Sequence, residues 1–127
     1  MRRLVVVLGV AAAVLLPAAA LAGGWATVQL SSTPKGAQAG TPWVVNLTVL
    51  QHGVTPLAGV KPEVRIDQGT VRRVFTARPT ARTGVYRARV VFPRAGTWRW
   101  TIWDGFSREH TYAPVRIAPS ACGGADP

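Results

Sequence analysis

Two histidines and one cysteine supply the imidazole and sulfur donors of this chain once Met1 is set aside. They are His52 in Val49-Leu50-Gln51-His52-Gly53, His110 in Arg108-Glu109-His110, and Cys122 in the tail Ser120-Ala121-Cys122-Gly123-Gly124. Imidazole and thiolate are donors that suit copper. His52 and His110 are therefore the candidate metal ligands, provided that the fold brings their two loops to the same end. Two histidines alone do not usually make a tight site, and the competing role for each is to cap a strand or hold a loop. Copper is the alternative reading, and no cofactor is the main one.

A second constellation is Trp103-Asp104-Gly105-Phe106, followed by Arg108. Two large aromatics beside a cation could hold a sugar ring or a partner protein, so Trp103, Phe106 and Arg108 are the candidate partner-binding residues. The competing role is a core plug, because large apolar side chains tend to be buried. The carboxylates are Glu63, Asp67, Asp104, Glu109 and Asp126. Only Glu63 and Asp67 approach a pair, four apart in a segment where even spacing puts both on one strand face. General acid–base work needs carboxyls in a cleft with shifted pKa values, whereas exposed strand positions are the expectation for these charged groups. No serine or cysteine sits in a nucleophile motif, and no glycine-rich loop precedes a helix. The expectation is a protein that is not an enzyme.

The elements that position these residues are strands. Apolar residues recur with period two, and no window long enough for a helix carries a 3.6-residue stripe. Strands are expected over 25–30, 43–50, 62–67, 70–77, 85–92, 97–102 and 112–118. Their inward faces are Trp43, Val45, Leu47 and Val49; Val64 and Ile66; Tyr86, Ala88, Val90 and Phe92; and Trp98, Trp100 and Ile102. The 85–92 and 97–102 segments read as a hairpin closed by Pro93-Arg94-Ala95-Gly96. About seven short strands with Gly and Pro punctuation match an all-β, single immunoglobulin-like sandwich. Gly84-Val85-Tyr86 could set its tyrosine at a corner between strands, although the disulfide of antibody domains is missing.

Export is expected from the first residues. Met1-Arg2-Arg3, an apolar block from Leu4 to Leu16, Pro17 and the small-residue exit Ala20-Leu21-Ala22 follow the pattern of a signal peptide cleaved after Ala22. The rival is an uncleaved anchor, since apolar residues continue to Ala22 and approach the roughly 20 that span a bilayer. Pro17 and the exit favour cleavage. The expected organisation is a signal peptide over 1–22, one sandwich over 23–118 and a disordered tail over 119–127, with no transmembrane helix in the mature chain. Lone Cys122 can form no internal disulfide.

Lysine and arginine number 15 against five acidic residues, a formal net charge of +10. An exported chain of this charge meets phospholipid head groups and acidic wall polymers rather than chromosomal DNA. The expected partner is an envelope protein or an anionic envelope surface, not nucleic acid. Solvated strand faces are the plainer account of the same arginines.

Gly23-Gly24-Trp25-Ala26, the strand ending Thr48-Val49-Leu50-Gln51-His52-Gly53, and the block from Gly84-Val85-Tyr86 through Phe92-Pro93-Arg94-Ala95-Gly96-Thr97-Trp98-Arg99-Trp100 resemble the YtkA-like and FixH-like family of exported bacterial β-sandwich domains. The resemblance spans about 25–117. It implies an extracytoplasmic immunoglobulin-like fold, with some relatives in membrane-associated complexes linked to cation or copper handling, and no established catalytic residues. The expected function is a secreted, non-catalytic interaction or accessory module at the cell envelope. The alternative is an extracytoplasmic copper-binding protein using His52 and His110.

Overall fold

The computed structural model describes residues 24–120. The signal segment expected over 1–22 and most of the tail expected over 119–127, Cys122 included, lie outside the described residues. Within them the elements are β1 (Ala26–Leu30), β2 (Trp43–Gln51), β3 (Thr55–Pro56), β4 (Glu63–Gln68), β5 (Val71–Thr76), β6 (Arg78–Pro79), β7 (Val85–Val90), β8 (Gly96–Trp103), β9 (Glu109–Thr111) and β10 (Val115–Ile117). No helix of the described residues is long and apolar enough to cross a membrane.

Two antiparallel sheets pack face to face. The first runs β1-β2-β7-β6, with β3 taking over from β7 along the far end of β2. The second runs β10-β8-β4-β5, with β9 beside β10 on the same edge of β8. The pleat sends alternate side chains to opposite faces, so the period-two pattern decides which residues enter the layer between the sheets. Trp43, Val45, Leu47 and Val49 enter it from β2, and Tyr86, Ala88 and Val90 from β7, with Phe92 just beyond. The second sheet supplies Val64, Ile66, Trp98, Trp100 and Ile102. All of these are the inward faces expected from the sequence.

Aromatic rings meet edge to face at the centre: Trp43 on Trp100 at 5.6 Å and 87°, and Phe92 on Trp98 at 5.6 Å and 69°. Tyr112 stacks on Trp100 at 4.2 Å. Buried indoles keep partners for their N–H groups. Trp43 donates to Ser32 Oγ at 2.9 Å, Trp98 to Arg94 O at 2.8 Å and Trp100 to Ala113 O at 2.9 Å.

Three expectations change. The 85–92 and 97–102 segments do not form a hairpin, because β7 pairs with β2 and β6 while β8 pairs with β4, β9 and β10. The link through Pro93 instead carries the chain between layers, a separation of about 10 Å that a few extended residues span. The last strand, expected over 112–118, shortens to β10, and the loop expected to carry His110 holds a strand of its own, β9; the two are separated around Ala113-Pro114, where proline offers no N–H to a ladder. Two short ladders, β3 and β6, were not foreseen, and the described residues hold ten strands.

Tyr86 joins the layers. Its hydroxyl donates to Leu57 O at 2.7 Å and accepts from Val60 N–H at 3.3 Å. Both partners lie on the crossing from β3 to β4, so one side chain of the first sheet anchors the path into the second.

Candidate functional site

Between β8 and β9 the chain folds around a carboxylate. Asp104 is fully buried. Its Oδ1 accepts from the N–H groups of Phe106 at 2.7 Å, Ser107 at 2.6 Å and Arg108 at 3.2 Å. Its Oδ2 accepts from Ser107 Oγ at 2.8 Å and pairs with His110 Nε2 at 2.9 Å. Burial pushes the carboxyl's pKa up, but the bonds from His110, Ser107 and Phe106 outweigh burial and hold it below the ordinary aspartate value. A buried carboxylate survives when its oxygens are fully hydrogen-bonded, as here. Gly105 makes the turn possible. Its φ is +80°, and a Cβ would lie 2.7 Å from Lys61 N.

The expectation of exposed strand positions concerns Glu63 and Asp67, which lie on β4 and are half-buried. Glu63 and Asp67 do share the outer face of the second sheet, but as ion-pair partners: Glu63 with Arg65 at 2.9 Å and Asp67 with Arg99 at 2.7 Å. Asp104 is the exception that the sequence reading missed. Its signal was Asp-Gly followed by Ser, an aspartate able to accept from main-chain N–H groups two or three residues on.

Ser, His and Asp are the residue types of a hydrolytic triad, yet their wiring differs. Ser107 Oγ donates to the carboxylate and accepts from Ala26 N–H at 3.2 Å. A nucleophile needs its base on the hydroxyl, and the contacts of Ser107 are with Asp104 and the main chain. The geometry locks a loop.

The candidate ligands fall out as follows. His52 occupies a left-handed position, φ 53°, at the turn from β2 to β3. Its N–H donates to Trp25 O at 3.1 Å, and its ring lies 5.0 Å from the Trp25 ring. Since Ala26 N–H reaches Ser107 Oγ, the His52 turn and the His110 loop lie at the same end of the sandwich. Even so, no group of three His, Cys, Asp or Glu side chains comes together among the described residues. His52 turns a corner, and His110 holds Asp104.

Trp103 ends β8, and Phe106 and Arg108 lie in the loop that follows it. Trp103 stands on the outer face of the second sheet with the Arg65 guanidinium 5.7 Å from its ring centre, so it does not plug the core. Phe106 is 38% exposed.

A broad concavity lies elsewhere. An open groove of about 1220 Å³ runs along the edge where β5 of the second sheet passes into β6 of the first. Val74, Phe75 and Val85 give it an apolar part, and Arg78, Arg82, Arg87 and Arg89 line it with positive charge. No carboxylate lines it. The four carboxylates of the described residues are engaged elsewhere: Glu63 and Glu109 with Arg65, Asp67 with Arg99, Asp104 with His110. The groove arginines thus have no internal counter-charge among the described residues, and Arg87 Nε donates only to Asn46 Oδ1, at 3.1 Å.

No family model and no curated protein matches the sequence.

Proposed function

We propose that the chain is an exported, non-catalytic accessory module of immunoglobulin-like type, akin to the YtkA-like and FixH-like domains, that works at the bacterial cell envelope by binding an anionic partner. The observation that carries this reading is the groove of Arg78, Arg82, Arg87 and Arg89, whose charge is not neutralised by any carboxylate in its lining. Focused single-sign charge in a concave surface raises the local concentration of opposite charge and speeds association. The Tyr86 tie between the sheets, the signal-like residues 1–22 and the resemblance of the 84–100 block to that family support the immunoglobulin-like and exported parts of the reading. The copper alternative has less support, because His110 Nε2 is bonded to Asp104 and the His52 ring packs on Trp25. The test is co-sedimentation of the purified protein with isolated bacterial envelopes, for the wild type and for Arg78→Gln, Arg82→Gln, Arg87→Gln and Arg89→Gln combined. Salt-sensitive binding that the combined variant loses is the expected result. Equal binding by both proteins, or binding by neither, overturns the proposal.

A further inference from the structure

β5 is the edge of the second sheet, paired only with β4. The ladder's phase follows from one bond beyond its end. Ala77 N–H donates to Pro62 O at 2.9 Å, one step past the pair Glu63↔Thr76. Opposed residues in an antiparallel pair alternate between bonded and non-bonded. Val64 with Phe75, Ile66 with Arg73 and Gln68 with Val71 are then the bonded pairs. The N–H and C=O groups of Arg72, Val74 and Thr76 point away from β4, toward open space. Among these groups only the Arg72 carbonyl has a partner, Arg73 Nη1 at 2.9 Å. Val74 and Thr76 also line the arginine groove, and Val74 is 56% exposed.

A row of unpaired main-chain groups is a template for another strand. Arg72 and Arg73 on the same edge set like charges together if two copies meet, which disfavours self-pairing. They favour an acidic strand. A lipid head group could satisfy the arginines, but it offers no donors and acceptors repeating at the roughly 7 Å interval of alternate strand residues.

We propose that the free edge of β5 takes an extended acidic peptide segment of a partner protein as an added strand. Its main chain bonds to Val74 and Thr76, and its carboxylates meet Arg78, Arg82, Arg87 and Arg89. This rests on the anion-binding reading above and names its ligand class.

The probes are a short peptide alternating Glu and Val, its Gln/Val counterpart, the Glu/Val peptide N-methylated at alternate residues in each register, and phosphatidylglycerol vesicles. Binding is read by fluorescence anisotropy and by amide hydrogen exchange. The Glu/Val peptide is expected to bind, and to weaken by roughly tenfold or more on each of three changes: Gln for Glu, the combined Arg→Gln variant, and N-methylation in one register. Exchange at Val74 and Thr76 should slow while Arg73 and Phe75, already bonded to β4, stay as they were. Val74→Pro removes a free N–H without a ladder bond and should weaken binding similarly; if that variant fails to fold, the N-methylated peptides still decide. Peptide binding indifferent to N-methylation overturns strand addition and leaves the anion-binding reading standing. Vesicle binding that needs the arginines, with none to the peptide, overturns the peptide as ligand while the reading stands. Binding to none of the anionic probes overturns both.

Discussion

Removing the Asp104 side chain tests whether the β8–β9 loop is held by its buried carboxylate. Asp104→Ala leaves three main-chain N–H groups, the Ser107 hydroxyl and His110 Nε2 without their acceptor. Each buried donor left without an acceptor costs about 1–3 kcal/mol, so losing the acceptor of several costs about 3–5 kcal/mol together. In a domain of this size each kcal/mol moves the melting midpoint by about 4–8 °C, so the variant should melt at least about 12 °C lower. Asp104→Asn keeps one oxygen for the three N–H groups. Its amide faces a hydroxyl that can turn to accept and an imidazole with two tautomers, for a smaller loss of about 1–2 kcal/mol. The pH dependence separates charge from shape. Because the folded pKa lies below that of the unfolded aspartate, the stabilisation is fully present above the unfolded value of about 3.9 and is lost as pH falls through the folded value. Urea melts at neutral pH and at successive steps below pH 4 should therefore show the gap between wild type and Asp104→Asn closing with acid. Glu109, whose pKa is held down by Thr101 and Arg65, leaves both proteins some acid sensitivity. A midpoint for Asp104→Ala within about 4 °C of wild type, or a gap independent of pH, would refute the account of the loop.

Tyr86→Phe removes the hydroxyl that bonds Leu57 and Val60 and should lower stability by about 1–3 kcal/mol, since two partners lose their bond at a part-buried site. Chemical denaturation measures it, and no loss would mean that water replaces the hydroxyl. Separate Cu(I) and Cu(II) titrations of the purified protein, read by tryptophan fluorescence, should give no saturable single-equivalent binding. A site lost in both His52→Ala and His110→Ala would restore the copper reading.

What the sequence made legible follows from which physical rule wrote it. Inward faces are imposed by the pleat, whatever lies alongside, so Trp43 through Val49 and Trp98 through Ile102 could be assigned from alternation alone. Neighbour identity carries no such period. A proline-containing link of a few residues serves equally well to turn a hairpin or to cross a sandwich, and Pro93 does the second. Asp104 was hidden for a different reason: the rule that charges stay outside holds until a turn supplies enough donors, and three of the donors here are main-chain N–H groups with no letter in the sequence.

The arginine groove combines both difficulties. Alternation does place Arg87 and Arg89 on the outer face of β7, where they read as ordinary solvated charge. They become a groove only because the chain leaves the second sheet at Ala77 and enters the first at Arg78, bringing Arg78 and Arg82 beside them. The same switch ends β5 as an edge and leaves its alternate main-chain groups free. Charge and open edge therefore arise from one topological step, and a substitution that alters that step should disturb both together, whereas arginine substitutions should disturb only the charge.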